Sequence, residues 1–434
     1  MRSKWKWILA GAAAVVVAAI GAAGGLWLSL HKNPQGELDT QLQGVTVSTA
    51  TTRRPIQAPI APAADRECWP FFGADPQRSL ARATADLGIP RRKPVWQRGL
   101  KGYIEYPPTY CNGMLYVNTF KGVTFAIDAA TGHVRWQRRL GGTMPSSPAI
   151  AGPRLIVSSQ DGTVTAVART NGRVLWRVVT AGAVESSPVV VDGLVYFGSQ
   201  DGRLFAVNAA SGRIRWAYNT GGRINSSPSL FGDRVCITTY AGAFFCFDRR
   251  TGTKLWSTYV KRDAFRYESF YSSPSTDGLR LYAVARSGKV VAVRASDGAV
   301  VWTQHVGGLG YTTPAVAGGR VFVGGFDGRL RAYRATTGDL DWETYVGGRI
   351  LGAPVVVGNL VFVSTLEGRT FAARVSDGKV VWRIPLGQYS PGIATERTYY
   401  FSLNGRLLAF LGRHSPPPPR PTTRTARTAP RTQG

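Results

Sequence analysis

The sequence has little histidine, cysteine or acid. Its four histidines form no cluster and its four cysteines include no C-x-x-C pair, so these residue types predict no metal site and no cytochrome-type haem attachment. Two of the histidines, His31 and His414, lie near the ends of the chain, which leaves too few for a Ser-His-Asp arrangement. We therefore predict no catalytic residue from them.

Long apolar runs are rare, and the longest is N-terminal. It extends without charge from Trp7 to Leu30 and, at about 1.5 Å per residue, is long enough to cross a hydrocarbon layer of ~30 Å. A cleaved signal peptide is the alternative, but no convincing A-x-A site follows. Basic residues precede the run, so the positive-inside rule predicts a cytoplasmic stub of residues 1–6, a single-pass helix over residues 7–30 in a bacterial cell membrane, and an extracytoplasmic remainder.

The charge balance is strongly basic. The 25 Asp and Glu stand against 53 Lys and Arg, which gives a formal net charge of +28. Such a balance is typical of nucleic-acid binding, but the expected location argues against that partner. Anionic lipid and acidic wall polymers are alternative partners, and an Arg-rich proteome is the plainest explanation. Residues 413–434, rich in Pro, Thr and Arg, are expected to be a disordered basic tail.

The few cysteines allow two disulfide bonds outside the membrane. Cys236 and Cys246 flank one turn and can face each other across a hairpin. Cys68 and Cys111 would be the other pair, and would join an N-terminal extension to the first repeat.

What the chain does contain is a register of about forty residues. Seven tryptophans are separated by 40, 40, 40, 46, 40 and 40 positions, namely Trp136, Trp176, Trp216, Trp256, Trp302, Trp342 and Trp382. Each repeat, such as the one from Ser186 to Trp216, contains four short runs of β-branched or aromatic residues bounded by turns that contain Gly. Four strands per forty residues is typical of a β-propeller blade.

The ends of the register predict how the ring closes. The last repeat, which begins at Pro391, has only the first three predicted strands. The segment around Trp96 is predicted to be a fourth strand without the other three. Joining them leaves no unpaired edge. We therefore predict an all-β, eight-bladed β-propeller of four-stranded antiparallel blades over residues 93–412, after a linker and N-terminal extension over residues 31–92.

The repeat motif resembles that of a known family. The phrase from Ala126 to Trp136, "AIDAATGHVRW", and its relatives resemble the tryptophan-docking repeat of pyrroloquinoline-quinone-like eight-bladed propellers. The resemblance implies that the Trp rings, including Trp96, dock between neighbouring blades. In character the chain is most similar to the propeller lipoprotein of the outer-membrane β-barrel assembly machinery.

The resemblance implies two alternative functions. One branch of the family contains dehydrogenases that hold the quinone (PQQ) and Ca²⁺ on the central axis, use an Asp as base and often clamp the ring with adjacent cysteines. Another contains scaffolds without cofactor. Because this chain has no adjacent cysteines and lacks long inserted loops, we expect a non-catalytic scaffold, with a PQQ-dependent dehydrogenase or a degenerate small-ligand-binding relative as the alternative.

One face of the predicted ring carries a funnel. Each repeat begins with a Pro at the same place in the register, such as Pro188, and we call this residue its opening Pro. The rim should be formed by residues three or five positions before each opening Pro: Glu105, Glu185, Arg223, Asn225, Tyr311, Arg349 and Gln388. Two carboxylates and an Asn could coordinate Ca²⁺, but they come from different blades, and a solvated polar rim is the simpler interpretation.

One connection is six residues longer than the others. It lies between Trp256 and Pro274, on the funnel face, and contains the residues that we predict to bind a partner: Lys261, Arg262, Phe265, Arg266, Tyr267, Phe270 and Tyr271. Aromatic and Arg residues are enriched at protein interfaces, although loop variation without function is the alternative. The sequence thus predicts a monomeric, membrane-anchored scaffold that binds another envelope protein.

Overall fold

The computed structural model describes residues 37–38, 46–49, 68–82, 87–389, 391–403 and 405–415, and they form an all-β fold. The predicted membrane span over residues 7–30, most of the linker and nearly all of the basic tail lie outside these residues. Within them, no helix is long and apolar enough to cross a membrane.

The strands form eight sheets of the predicted size. The first four strands in the chain are β1 Glu37–Leu38, β2 Thr46–Thr49, β3 Ala81–Arg82 and β4 Trp96–Gly99. Blade 1 consists of β5 Thr109–Cys111, β6 Met114–Asn118, β7 Val123–Asp128 and β8 Val134–Arg139. Blade 2 consists of β9 Ala149–Ala151, β10 Arg154–Ser158, β11 Thr163–Ala168 and β12 Val174–Val179. Blade 3 consists of β13 Val189–Val191, β14 Leu194–Gly198, β15 Arg203–Asn208 and β16 Ile214–Asn219.

The remaining blades follow in chain order. Blade 4 consists of β17 Ser229–Phe231, β18 Arg234–Thr238, β19 Ala243–Asp248 and β20 Lys254–Tyr259. Blade 5 consists of β21 Ser275–Thr276, β22 Arg280–Val284, β23 Lys289–Arg294 and β24 Val300–His305. Blade 6 consists of β25 Ala315–Ala317, β26 Arg320–Gly324, β27 Arg329–Arg334 and β28 Leu340–Tyr345. Blade 7 consists of β29 Val355–Val357, β30 Leu360–Thr365, β31 Arg369–Arg374 and β32 Val380–Ile384, and blade 8 of β33 Gly392–Ala394, β34 Thr398–Leu403, β35 Arg406–Leu411 and the early strand β4.

The ring closes through the early strand. β4 pairs antiparallel with β35, and Trp96 stands opposite Ala409. The prediction of eight four-stranded blades, closed by the strand around Trp96, is confirmed. Strands β1 and β2 add a fifth strand to the outer edges of blades 3 and 2.

Among the described residues, seven of the eight blades are fastened to the next by a tryptophan hydrogen bond, whereas Trp382 of blade 7 stacks on Phe401 of blade 8. The indole N–H of Trp176 donates to the carbonyl of Ala209 in the next blade at 3.0 Å, and the same bond recurs for Trp96, Trp136, Trp216, Trp256, Trp302 and Trp342. A glycine of the next blade lies flat against each of these rings. At Gly212, with φ +72°, an added Cβ would come within 2.8 Å of the Trp176 ring. Both the backbone conformation and the ring contact therefore require glycine here.

Buried hydroxyls join the blades near the axis. The hydroxyl of Ser187 accepts the backbone N–H of Ser147 at 3.1 Å, and the hydroxyl of Ser227 accepts that of Ser187 at 2.9 Å. Ser273 and Thr313 continue the series. The Ser that precedes each opening Pro in these blades thus satisfies a backbone group of the preceding blade.

A strap formed by residues 68–82 crosses the inner strands of the ring. Its backbone carbonyls accept N–H groups from blades 1, 2, 4, 5, 6 and 7. A disulfide bond between Cys68 and Cys111 joins the strap to blade 1, and a second joins Cys236 to Cys246 across one hairpin of blade 4. These are the two pairs that the sequence allowed.

One buried cation fixes the strap to the ring. Arg78 has no exposed surface, and its guanidinium donates to the carbonyls of Phe72, Ser187 and Pro228. Burial lowers the pKa of Arg78 to about 9, which still leaves it charged at neutral pH. The Arg78 side chain thereby joins the strap to the first residues of blades 3 and 4.

Candidate functional site

The funnel face is built from two kinds of connection. The loop from the outer strand of one blade to the inner strand of the next lies on the same face as the hairpin between the second and third strands, because successive antiparallel strands reverse direction. The rim residues lie on the first kind of connection. The second kind brings further side chains, including Gln160 and Gln200, to the same opening.

Glu185 is the centre of this site. Its Oε1 accepts hydrogen bonds from the side-chain amides of Gln160 at 2.7 Å and Gln200 at 3.0 Å. Its Oε2 accepts from the amide of Asn225 at 2.6 Å and the hydroxyl of Tyr271 at 2.8 Å. Four donors from four different connections thus hold one carboxylate in a fixed position.

A second carboxyl group, Glu105, faces the same space from blade 1. It makes no hydrogen bond or ion pair with another described residue. Burial, together with the negative charge of Glu185, raises the pKa of Glu105 to about 8. The funnel thus brings Glu105 and Glu185 into electrostatic contact although they belong to different blades.

One amide oxygen at this site has no partner. Asn225 is only 8% exposed, and its Oδ1 receives no hydrogen bond from the described residues while its Nδ2 donates to Glu185. An unsatisfied buried acceptor is unusual in a folded protein. The Oδ1 of Asn225 can therefore accept a further hydrogen bond in this part of the funnel.

Aromatic rings surround the acidic centre. Tyr271 packs edge-on against Tyr240 and Tyr311, with ring centroids 6.2 and 5.8 Å apart, and Tyr311 packs on Phe326. Burial and the Glu185 charge raise the pKa of Tyr271, and the same causes raise that of Tyr240 to about 12. These tyrosines are therefore neutral donors at physiological pH.

The other predicted rim residues lie apart from this centre. Gln388 accepts a hydrogen bond from Tyr103, which also packs edge-on against Phe120. Arg349 forms an ion pair with Glu367 at 2.9 Å, and Arg223 is exposed. The seven rim residues therefore do not form one constellation.

The six extra residues before Pro274 form a small hairpin. The backbone N–H of Arg262 donates to the carbonyl of Arg266 at 2.8 Å, and the Asp263 carboxylate accepts from the backbone N–H groups of Phe265 and Arg266. Asp263 also pairs with the Arg266 guanidinium at 2.7 Å. Phe265 stands at the tip and is 95% exposed.

The base of this hairpin is anchored in the ring. Lys289 donates to the carbonyl of Lys261 at 2.8 Å and pairs with the buried carboxylate of Glu268 at 3.3 Å. Tyr267 packs on Tyr259, with ring centroids 5.3 Å apart. The hairpin, which we define as residues 261–267, therefore projects from the ring while contacts with Lys289 and Tyr259 hold its base.

Two of the predicted partner-binding residues point inward. Phe270 has no exposed surface and packs edge-on against Phe244, with centroids 5.0 Å apart. Tyr271 donates to Glu185 inside the funnel. The exposed part of the predicted surface is thus confined to the hairpin, because the two later aromatic residues satisfy the core and the funnel.

Comparison with known proteins assigns the family. The chain matches the family model described as outer membrane protein assembly factor BamB over residues 85–263 and again over residues 246–410. The chain belongs to this family. A search of curated protein sequences returned no significant match.

Solved structures share the fold at low identity. BamB from Moraxella catarrhalis is 17% identical, with a TM-score of 0.63, and the match covers 74% of this chain and 99% of that one. A europium-containing methanol dehydrogenase is 14% identical, with a TM-score of 0.65 over 80% and 98% of the two chains. The quinohemoprotein alcohol dehydrogenase of Comamonas testosteroni is 14% identical, with a TM-score of 0.67 over 86% and 84%. These likenesses show the fold alone.

The funnel residues do not fit the quinone and Ca²⁺ of the dehydrogenase branch. All four cysteines are consumed by disulfide bonds in the strap and in blade 4, so none forms a clamp of adjacent cysteines. Both oxygens of Glu185 already accept two hydrogen bonds each, which leaves Glu105 and the Asn225 Oδ1 as free ligands, whereas Ca²⁺ takes about six to eight oxygens. The described residues also contain no group of three or more His, Cys, Asp or Glu that could hold a metal ion.

Proposed function

We propose that this chain is a non-catalytic protein-interaction scaffold of the bacterial cell envelope. In this proposal residues 7–30 anchor it in the membrane with the N-terminus in the cytoplasm, and the extracytoplasmic propeller presents its funnel face to another envelope protein. The family assignment supports the scaffold class, since its model carries the description of an assembly factor.

The observation that carries the proposal is the hairpin of residues 261–267. An exposed Phe on a hairpin braced by an ion pair costs solvation free energy that nothing within the described chain recovers. A rigid aromatic residue flanked by Arg is the typical composition of an interface hot spot. The partner surface is expected to be apolar at its centre and acidic around it, because Lys261, Arg262 and Arg266 surround the Phe.

The test is a crosslinking experiment in membranes. A photoreactive residue in place of Phe265 should crosslink one envelope protein reproducibly, and the R262E/R266E double variant should lose that product. The matched control is a photoreactive residue in place of Leu340, an exposed apolar residue on an outer strand, which should not capture the same protein. Equal capture from both positions would contradict a docking role for the hairpin.

A second candidate is binding of a small ligand in the funnel. The unpaired Glu105 carboxyl and the unsatisfied Asn225 Oδ1 favour it, since the protonated carboxyl can donate a hydrogen bond and the amide oxygen can accept one. Adding the quinone, Ca²⁺ and an electron-accepting dye to the full chain, with alcohols or sugars as substrates, distinguishes the two candidates. Turnover would overturn the scaffold proposal.

A further inference from the structure

A cavity separates blades 4 and 5 on the face opposite the funnel. Its volume is about 400 Å³, within the range of small-molecule sites. The first connections of both blades, together with the third connection and the outer strand of blade 5, line it, with Phe231, Arg234, Leu279, Arg280, Arg294 and Val301 as its main side chains. No residue of the funnel contributes to it.

The cavity follows from a departure from the repeat. In most blades an aromatic residue of the second strand, an Ala of the third and the Trp of the fourth stand side by side, as in Tyr196, Ala206 and Trp216. In blade 4 that row is Cys236, Cys246 and Trp256. The disulfide bond stands where most other blades have an aromatic ring and an Ala, and the two Cys side chains are together smaller.

At two other junctions an Arg of the following blade packs beside the aromatic ring. Arg169 in blade 2 donates to the Tyr116 hydroxyl of blade 1 at 3.2 Å, and Arg249 in blade 4 pairs with Asp192 of blade 3 at 2.7 Å. The corresponding residue of blade 5 is Ala295, which lines the cavity. The junction between blades 4 and 5 thus lacks both the aromatic ring and the Arg.

The charges around the cavity are unequally satisfied. Arg280 pairs with Asp277 at 3.2 Å and Arg294 with Asp297 at 2.7 Å. Arg234 makes no ion pair with a described residue, and its buried Nε has no hydrogen-bond acceptor. Its guanidinium lies over the Phe231 ring, 5.9 Å from the centroid. One cation at the cavity is therefore without an anion.

The apolar part of the lining is open to the cavity. Leu279 is 69% exposed and Val301 is 40% exposed, although both lie beside the Phe231 ring. Apolar surface next to an uncompensated guanidinium matches a molecule that carries both an apolar body and one negative charge.

We propose that this cavity binds a small organic monoanion, with its carboxylate on Arg234 and its apolar body against Phe231, Leu279 and Val301. The site is on the opposite face from the hairpin, so it goes beyond the scaffold role and stands or falls independently of it.

The probe for the experiment is 3-phenylpropionate, with 3-phenylpropanamide as its neutral equivalent. Binding to the full chain in zwitterionic nanodiscs is measured by ligand-observed NMR, and empty nanodiscs correct for partition into lipid. Saturable binding of the acid, at least about tenfold tighter than that of the amide, is expected because a charge-assisted hydrogen bond is lost in the amide. Equal binding of the two compounds, or no saturable binding of the acid, would overturn the proposal.

Three variants locate the site. Ala295→Arg supplies the residue type found at two other junctions and should abolish binding, whereas Arg234→Gln removes the charge and should weaken binding of the acid about tenfold without affecting the amide. Arg154→Gln is the matched control, because Arg154 occupies the same strand position in blade 2 and should leave binding unchanged. If Ala295→Arg retains its thermal transition and still binds the acid normally, the cavity is not the site.

Discussion

The outer strands and the axis of this ring use the repeat in opposite ways. On the outside, one contact is made seven times, a Trp indole that donates to a carbonyl of the next blade and packs on its Gly. At the axis, hydroxyl contacts also recur, but Arg78 and Glu185 make contacts that have no equivalent in the other described blades. Because the outer contact is repeated, each junction contributes a similar part of the stability. The unique contacts instead place single charged groups, the Arg78 guanidinium and the Glu185 carboxylate, at the axis of the ring. The repeated residues therefore build the ring, and the residues that depart from the repeat form the candidate site.

The largest expected effect is at the axis. Arg78→Ala leaves three buried carbonyls without a donor and opens a void, and it should lower the free energy of unfolding by about 3 to 5 kcal/mol. Urea unfolding of the full chain measures it. The control is Arg213→Ala, an exposed position where a change of less than about 0.5 kcal/mol is expected. A loss below about 1 kcal/mol at Arg78 would show that the strap does not hold the ring together.

An outer junction should cost less, because six equivalent junctions remain. Gly212→Ala combines a positive φ with a collision against the Trp176 ring and should cost about 3 kcal/mol. Gly193→Ala has nearly the same φ, +74°, but meets nothing within 4 Å, so only the backbone cost of about 1 kcal/mol is expected. Denaturant unfolding of both variants isolates the ring contact. Equal losses would mean that the turn alone requires the glycine.

The acidic centre predicts a pH dependence. The pKa of Glu105 is raised in the folded state, so the folded chain binds the extra proton and the contribution of this group is greatest below the unfolded value, near pH 4.5. Stability should fall as the pH rises from about 4.5 to 8, by at most about 1.4 kcal/mol per pH unit. Glu105→Gln should remove that part of the slope in urea titrations at pH 5 and 8.5. The exposed Glu396→Gln should retain it.

The smallest effect on stability is expected at the hairpin tip. Phe265→Ser removes a side chain that is 95% exposed and should change the free energy of unfolding by less than about 0.5 kcal/mol. Circular dichroism during thermal unfolding measures it. A large loss would mean that the hairpin belongs to the fold, like Phe270, rather than to a docking surface.

Much of the ring could be predicted because each blade repeats its spacing. Trp96 without an upstream repeat and Pro391 without a following Trp together predicted the closure. The strap could not be predicted, since its partners are spread over six blades and only an aromatic cluster marks it in the sequence.

The acidic centre was predictable only in part. Counting back from each Pro found Glu105, Glu185 and Asn225, but Gln160 and Gln200 come from a different kind of turn and were missed. The sequence "SQDG", which blades 2 and 3 share, could have indicated them. It lies in a turn that contains neither the Trp nor the Pro from which the positions were counted. The burial of Phe270 depends on packing with Phe244, and sequence spacing carries no information about it.

The pairing of β4 with β35 also sets an order of events during synthesis. The strand around Trp96 emerges early, yet its partner lies more than three hundred residues later. The carbonyl groups of the strap likewise have no partners until the inner strands of blades 4 to 7 have been made. An early strand with an open edge must therefore stay unpaired until the last blade has been made, and during that interval its free backbone groups can pair with another chain.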